Sequence, residues 1–581
     1  MTKIKLIFPL ALILLSMAGL SAQSNIGVDY YRLGENEKAK EYLNRNLSVS
    51  PAEANFYLGE IAFSEKDLAK AEEYYNKALS ANAESPYGPI GLAKLKLKSD
   101  TKVATAALAA IGKKNKKDAD VFVAIARAYF DNDMLDAMKK EIASAKKANE
   151  KNPEIYILEG DMILKSDVKR VGEAAGKYEM ATYFAADYGL GYVKYALVYE
   201  HISSTLAIEK LKTIIEKQPD YTIAYSALGK VYTQNGFYPQ AIGMFQTYFA
   251  SDIYSVDDIG FYARALYFTD SFDEAKKIVN EGLQKAPNHF VLNRYLMYIN
   301  AKTKNIEEGL QVADKFFTLR DASGYIPMDY AMYAQVLSAA KRYNEAVAQY
   351  EKAISMEPEK LEVYAEAASI AREKRDYALA ANFVKRQMAV KAQLSNDSEY
   401  MDDIVDINTL GYDYYSAGVT ISRNSGVAEE KMADKALKSE LLASDNRLNN
   451  DSLNNSLGYF TKSYSLYNLN KADAVFDMLI ERAPESYAGY RFKALTKHAI
   501  NPDTEVGLAK PYYEKVEKII MSEEDELTAA KKRILLEAYN YLGYYYYMKS
   551  DKGNTILYWN KVLEIDPDNK NAKLVLEDIN K

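Results

Sequence analysis

The sequence contains no cysteine, one tryptophan (Trp559) and only three histidines among 581 residues. Without cysteine there can be no disulfide framework, no thiolate metal site and no cysteine nucleophile. The histidines His201, His289 and His498 are isolated in sequence. A zinc site normally uses spaced ligands such as two histidines one helical turn apart, so none is expected. The missing residue types argue against metal and thiol chemistry.

Basic residues are also fewer than acidic ones: the sequence contains 74 Lys and Arg and 81 Asp and Glu, which gives a net charge of −7. Nucleic-acid binding needs a basic stripe that displaces counterions, and the densest basic run, at 113–117, is interpreted as a solvated turn between two helices. No G-x-S-x-G elbow occurs, and Gly112 with Lys113 lacks the remaining residues of a phosphate-binding loop. We therefore expect neither an enzyme, nor a cofactor, nor a nucleic-acid partner.

Long apolar runs are confined to the N-terminus. Lys3 and Lys5 precede the apolar stretch Leu6–Met17, and small residues follow as far as Ala22. The stretch is shorter than the roughly 20 residues that span a bilayer as a helix, and the order of charged, apolar and small residues is typical of a secretory signal peptide. We predict that residues 1–22 are a cleaved signal peptide, with an uncleaved anchor as the alternative.

A unit of about 34 residues recurs along most of the remaining chain. Its clearest copy is Tyr221–Tyr254, and equivalent small, aromatic and proline positions fall 34 residues before and after it. The marks within this copy are Leu228, Gly229, Tyr232, Gly236, Ala241, Phe245 and Tyr248. Such a period predicts stacked helix–turn–helix units that bury apolar surface against their neighbours rather than in one central core.

The pattern resembles tetratricopeptide repeats over roughly residues 23 to 567. The resemblance implies small residues at positions 8, 20 and 27 of each repeat, where two helices approach closely, and large residues at positions 11 and 24 that fill the space between them. Gly34 and Gly236 are expected to end first helices in a left-handed conformation. The fold class implied is all-α, an α-solenoid forming a right-handed superhelix of about 15 helix pairs.

Two stretches interrupt the period. The first, near 419–456, is rich in Asn, Ser and Asp but contains a predicted helix at 428–444; the second, at 501–505, lengthens a turn. We predict an N-terminal array over 23–400 and a C-terminal array over 401–581, with an irregular insertion near 419–456 and a terminal capping helix. The alternative is one continuous superhelix with an ordinary insertion.

The resemblance also implies a concave face lined by the first helix of each repeat, where side chains at positions 5, 9 and 12 point inward. An aromatic ladder on that face would offer a large contact area at low entropy cost. The alternative is that these aromatic residues pack between helices. The candidate residues of this partner-binding groove are Tyr31, Phe63, Tyr192, Tyr199, Arg264, Tyr267, Tyr298, Tyr412, Tyr415, Tyr464, Tyr544 and Tyr547.

These expectations combine into a non-enzymatic protein-interaction scaffold of the periplasm or cell envelope of a Gram-negative bacterium. Expected partners are envelope or outer-membrane proteins or peptides, bound non-covalently along the groove, with peripheral association to the outer membrane and no transmembrane segment after signal removal. The alternative is a protein that binds glycans or peptidoglycan fragments on a tyrosine-lined groove. A third hypothesis is a spacer between two complexes.

Overall fold

The computed structural model describes residues 26–395, 402–523 and 526–579, and all regular secondary structure within these ranges is helical. The predicted all-α solenoid is therefore confirmed. The signal peptide predicted at 1–22 lies outside the described residues. Contacts divide the chain into two compact units between Ile299 and Asn300. The array boundary predicted near residue 400 falls at residues that are not described and stays a prediction.

The first unit consists of paired helices joined by short turns, and the first helix of each pair carries an odd number. Its helices are 26–32 (α1), Asn36–Arg45 (α2), Pro51–Ser64 (α3), Leu68–Ala81 (α4), Tyr87–Lys96 (α5), Thr101–Lys114 (α6), Ala119–Asp131 (α7), Leu135–Asn149 (α8), Pro153–Ser166 (α9), Val171–Phe184 (α10), Gly189–Tyr199 (α11), Ser204–Lys217 (α12), Thr222–Gln234 (α13), Tyr238–Phe249 (α14), Val256–Phe268 (α15), Phe272–Lys285 (α16) and Phe290–Lys302 (α17).

The second unit continues in the same way and ends on a single amphipathic helix. Its helices are Ile306–Phe316 (α18), Pro327–Ala339 (α19), Tyr343–Met356 (α20), Leu361–Glu373 (α21), Tyr377–Leu394 (α22), Ile404–Arg423 (α23), Ser425–Lys431 (α24), Lys435–Ser444 (α25), Asn450–Asn455 (α26), Leu457–Arg482 (α27), Tyr487–Ile500 (α28), Lys510–Ser522 (α29), Ala529–Met548 (α30), Lys552–Ile565 (α31) and Lys570–Ile579 (α32). A single 3₁₀ turn, Ala322–Gly324, precedes α19.

Small residues on first helices face aromatic rings on second helices, as the repeat pattern predicts. A Cβ atom added at Gly229 would lie 2.9 Å from the ring of Phe245, and one added at Gly543 would lie 2.9 Å from the indole of Trp559. Both rings are buried. The glycines therefore set the distance between the two helices of a repeat, because any larger side chain would clash with a ring that is closely packed in the core.

Most of the turns between paired helices contain one residue in the left-handed region. Gly34 and Gly236 adopt φ values of +79° and +77° there, which confirms the two predicted glycine turns. In other repeats the same conformation is taken by residues that are not glycine. These are Lys66, Asp133, Asp270, Lys304, Lys341, Arg375 and Ser550. Stacking of the flanking helices therefore imposes this conformation even where the side chain disfavours it.

The irregular insertion belongs to one repeat. A Cβ atom added at Gly411 on α23 would lie 2.5 Å from the ring of Phe476 on α27, the same contact that joins the two helices of an ordinary repeat. Between these helices lie α24, α25 and α26, whose buried residues Ala428, Leu441 and Leu453 share a core with α23 and α27. The single helix predicted at 428–444 is two helices, because the Asp434 carboxylate accepts from the backbone N–H of Leu437 and begins a new helix.

No helix among the described residues combines the length and the apolar character needed to cross a lipid bilayer.

Candidate functional site

The inner side of the first unit encloses a cavity of about 480 Å³, here called the central cavity. Its wall is built from α1, α3, α5, α7 and α9 together with the N-terminal ends of α11 and α13. First helices of seven successive repeats therefore contribute to one site. Its volume lies within the range of about 300–1,000 Å³ that is typical of small-ligand pockets.

Helix α1 closes the central cavity by reaching repeats far away in sequence. The Tyr221 hydroxyl, at the start of α13, donates to Oδ2 of Asp29 over 2.8 Å. The Arg32 guanidinium lies 3.1 Å from Oε2 of Glu154 on α9. These contacts join residues more than a hundred positions apart, so they depend on the way the stacked repeats curve back towards the N-terminus.

Glu154 is the charged centre of the cavity wall. Its Oε2 lies 3.1 Å from Arg32 and 3.1 Å from Arg127, and the Tyr188 hydroxyl donates to its other oxygen. Burial alone raises the pKa of this carboxyl, but the two guanidinium groups and the hydroxyl outweigh burial and lower the pKa to about 2. Glu154 therefore stays ionised at neutral pH and neutralises the cations on the wall.

Asp29 shows the opposite behaviour. Burial raises the pKa of its carboxyl to about 7, although the hydrogen bond from Tyr221 and the charges of Arg32 and Lys194 oppose the rise, and Glu154 adds to it. No cationic side chain of the described residues forms an ion pair with Asp29. It is consequently a carboxyl that changes charge near neutral pH.

This shift predicts a pH-dependent stability that Asp29→Asn should remove. The folded-state pKa lies above the unfolded value, so the native state binds the proton more tightly and stability falls as pH rises from about 4 to about 7. Because Asp29 retains partial access to water, we expect a loss of about 1–2 kcal/mol rather than the full value of the shift.

The measurement is hydrogen exchange of residues 26–45 at pH 6 and pH 8, corrected for the intrinsic exchange rate. The native protein should be better protected at pH 6, whereas Asp29→Asn should show the same protection at both values because its amide still accepts from Tyr221. Equal protection of the native protein at both pH values would contradict the assignment.

A second charged centre holds α2 against α14 and α15. Asp258 is fully buried, and its carboxylate lies 3.0 Å from Nζ of Lys38 and 2.7 Å from Nζ of Lys230. It accepts from the Tyr248 hydroxyl over 2.9 Å and, as part of a capping box, from the backbone N–H of Ser255. Burial raises the pKa of this carboxyl, but the two ammonium groups outweigh burial and hold it well below its usual range.

A second cavity of about 730 Å³ lies beside this centre, between the turn before α2 and the helices α13, α15 and α17. Phe261 and Tyr295 contribute apolar surface to its wall, and Lys230 and Arg264 contribute positive charge. Arg264 was predicted as a groove residue, and the structure places it on this wall.

The second unit presents a different surface on α23, α28 and α30. The ring of Tyr412 on α23 contacts Phe492 on α28, with ring centroids 5.9 Å apart. Arg491 of α28 forms two hydrogen bonds, of 3.2 Å and 2.7 Å, with Glu537 of α30. Two turns beyond Glu537, Tyr544 is 46% exposed, and Tyr412 is 47% exposed. We call this surface, defined by Tyr412, Arg491, Glu537 and Tyr544, the tyrosine face.

The predicted groove residues separate by burial. Tyr412 and Tyr544 are the two that are strongly exposed. Those of intermediate exposure are Tyr31, Phe63, Tyr199, Arg264, Tyr415 and Tyr547. Those that are buried are Tyr192, Tyr267, Tyr298 and Tyr464. The buried four pack between helices, the alternative that the sequence left open, and Tyr464 lies on α27, which takes the place of a second helix rather than a first.

Sequence reasoning missed the charged residues of the inner surface, namely Asp29, Glu154 and Asp258. Each has one partner in a distant repeat, namely Tyr221, Arg32 and Lys38 respectively, and no local pattern marks them as buried. The one available signal is Ser255 followed by Asp258, a capping box that predicts a helix start but not the burial of its carboxylate.

The chain is thus an all-α solenoid of helix pairs with inner surfaces suited to binding. Residues 25–89 and residues 330–360 match family models of the tetratricopeptide repeat. Both matched segments are therefore identified as tetratricopeptide repeats. No curated protein is significantly similar to the chain.

Several solved structures of repeat proteins are similar. The C-terminal part of a tetratricopeptide-repeat protein from Cytophaga hutchinsonii is 23% identical, covers 55% of this chain and 99% of its own, and has a TM-score of 0.36. A tetratricopeptide-repeat protein from Parabacteroides merdae is 18% identical, with 43% and 97% covered and a TM-score of 0.30. PilF of Pseudomonas aeruginosa is 13% identical, with 39% and 98% covered and a TM-score of 0.33.

Proposed function

We propose that the protein is a non-enzymatic scaffold that binds segments of partner proteins on the tyrosine face of its second unit. The observation that carries this proposal is the exposure of Tyr412 and Tyr544, each close to one half, on first helices of the array. Most tyrosines among the described residues are buried or of intermediate exposure. Two that are exposed on first helices, α23 and α30, offer anchors for a partner.

The chemistry of the tyrosine face suits a peptide segment. Tyrosine combines a large apolar ring with a hydroxyl group and has few rotamers to lose on binding, which is why it is enriched among residues that dominate interface energies. On the same surface, the Arg491–Glu537 pair supplies polar groups, a donor and an acceptor, for a partner backbone. An extended or helical segment could therefore bury apolar side chains and satisfy its polar groups on the same surface.

We place this scaffold in the periplasm or at the outer membrane of a Gram-negative bacterium, with envelope proteins as partners. The support for this location is the order of charged, apolar and small residues within 1–22, which is typical of a secretory signal peptide. Fusion of this segment to a reporter enzyme, followed by fractionation, tests export directly. A reporter that stays in the cytoplasm would contradict the location.

Partner binding is tested by photo-crosslinking in cells. A photoreactive amino acid replaces Tyr412, Tyr544 or, as the control, Tyr183, which is 77% exposed on α10 of the first unit. We expect one envelope protein to be captured from positions 412 and 544 and not from position 183. Capture that is equal at all three positions, or absent at 412 and 544, would contradict the proposal.

Substitution then measures the contribution of each ring. With the captured partner purified, Tyr412→Ala and Tyr544→Ala should each weaken binding by about 2 kcal/mol, or roughly 30-fold, because each removes an aromatic anchor. Tyr183→Ala should leave the dissociation constant unchanged. If the two variants instead lose binding to a panel of glycans and bind no protein, the glycan-binding hypothesis replaces this one.

A further inference from the structure

The central cavity carries more negative charge than its own cations neutralise. Two arginines, Arg32 and Arg127, are the cationic residues on the described wall, and both lie against Glu154. Seven carboxylates line the same wall: Asp29, Glu53, Glu60, Asp120, Glu154, Asp187 and Asp220. The excess of acidic groups produces a negative potential that the low-dielectric walls of a cleft concentrate.

Two of the remaining carboxylates already have partners. Glu60 lies 2.8 Å from Nζ of the buried Lys94, and Asp120 accepts from the Asn152 side chain over 2.6 Å. Both are held by contacts within the fold, and they help to shape the cavity.

Four further carboxylates form no ion pair among the described residues, namely Asp29, Glu53, Asp187 and Asp220, and of these Asp29 accepts one hydrogen bond, from the Tyr221 hydroxyl to its Oδ2. Asp29 and Glu53 lie within the wall, on α1 and α3, whereas Asp187 and Asp220 are exposed at its rim, just before α11 and α13. An acidic residue in the first turn of a helix, such as Glu53, is ordinarily solvated, and its negative charge interacts favourably with the helix dipole. Burial, however, raises the pKa of Glu53, which a solvated group would not show.

The wall also provides aromatic surface for a cation. Tyr57, Tyr87, Tyr188 and Tyr221 all line the central cavity. The Arg32 guanidinium already lies 5.7 Å from the centre of the Tyr57 ring, so the geometry of this wall accommodates a cation over an aromatic face. Carboxylates combined with aromatic faces form the environment that organic ammonium ions prefer.

We propose that the central cavity binds a small organic cation with two or more primary ammonium groups, held by Asp29 and Glu53 inside and by Asp187 and Asp220 at the rim. The placement of the acids at two depths favours a flexible chain with spaced charges over a single ammonium group. A free polyamine and a lysine-rich peptide both carry this chemistry. The site lies in the first unit and does not depend on the tyrosine face.

Calorimetric titration of the full chain tests this site at low ionic strength. The probes are spermidine, an acetylated and amidated hexalysine peptide, and a hexaglutamate peptide as the anionic control. We expect the native chain to bind spermidine or hexalysine and not hexaglutamate, with affinity that falls as salt is added. Binding of spermidine alone indicates a free polyamine, and binding of hexalysine alone indicates a basic segment.

Variants assign the binding to the cavity. Glu53→Gln and Asp29→Asn should each weaken cation binding at least about tenfold, because each removes one charge-assisted contact. Glu173→Gln is the matched control, since Glu173 is exposed on α10 and pairs with Arg170. Circular dichroism confirms that each variant remains folded.

Two results would overturn the proposal: no binding of either cationic probe, or equal binding by the native chain, Glu53→Gln and Asp29→Asn. Tyr412→Ala should bind the cationic probe like the native chain. Loss of partner capture at the tyrosine face and loss of cation binding are thus separate outcomes.

Discussion

Replacing Asp258 with Asn is expected to release the N-terminal helix pair from the rest of the first unit. The substitution keeps the shape of the side chain and an acceptor oxygen but removes the charge that Lys38 and Lys230 face. Lys38 is only 4% exposed, and removing one partner of a buried ion pair costs about 3–5 kcal/mol because the remaining charge is left uncompensated. We expect the lower end of this range, since Glu35 also pairs with Lys38.

Hydrogen exchange of residues 26–45 measures this effect locally, because a terminal repeat of a solenoid opens without unfolding the whole array. A cost of about 3 kcal/mol corresponds to exchange that is roughly 100-fold faster in Asp258→Asn. The control is Asp257→Asn, one residue earlier, whose side chain is 80% exposed and pairs only with His289 among the contacts seen. Equal exchange in the two variants would show that the buried centre does not hold the helix pair.

Gly160→Ala is expected to destabilise its repeat strongly although it adds a single methyl group. The new Cβ would lie 2.4 Å from the ring of Tyr178 on the neighbouring helix α10. That ring is 1% exposed, and its hydroxyl donates to Asp161 over 2.9 Å. The ring cannot move without breaking this bond, so the two helices must separate, at a cost of about 1–3 kcal/mol or more.

The matched control is Gly176→Ala, on α10 of the same repeat. Gly176 is exposed, and nothing lies within 4 Å of the position its Cβ would take. Alanine in a helix interior is favoured over glycine by about 0.5–1 kcal/mol, so this variant should be slightly more stable than the native protein. Chemical denaturation of the three proteins provides the comparison, and destabilisation by both variants alike would mean that the Tyr178 contact is not responsible.

Much of the fold could be predicted because the contacts within each repeat join residues that are close in sequence. The spacing of Gly229 and Phe245 predicted a close helix pair, and the structure confirms the contact. Gly34 and Gly236 predicted left-handed turns and adopt them. Elsewhere the turn is formed by residues such as Lys341, which carry no such signal. Repeats of this kind keep the same conformation with fewer visible marks, because the packing of their helices imposes it.

The candidate sites were less predictable. Position in the repeat selected Tyr412 and Tyr544, which are exposed, and equally Tyr267 and Tyr298, which are buried. The position of a tyrosine within the repeat predicts which face of the helix it occupies. Its burial depends on the side chains that the neighbouring repeats pack against it. Tyr267 and Tyr298, for example, lie 5.6 Å apart between ring centroids and cover each other.

The sequence by itself determined the helical class, the length of the repeat and the contacts within each repeat, because these depend on residues fewer than about 34 positions apart. Only the tertiary structure decided which acids are buried. Asp29 meets Tyr221, and Lys38 meets Asp258, across about 200 positions. Such contacts arise from small rotations between successive repeats that accumulate over the unit, and no single repeat encodes their sum.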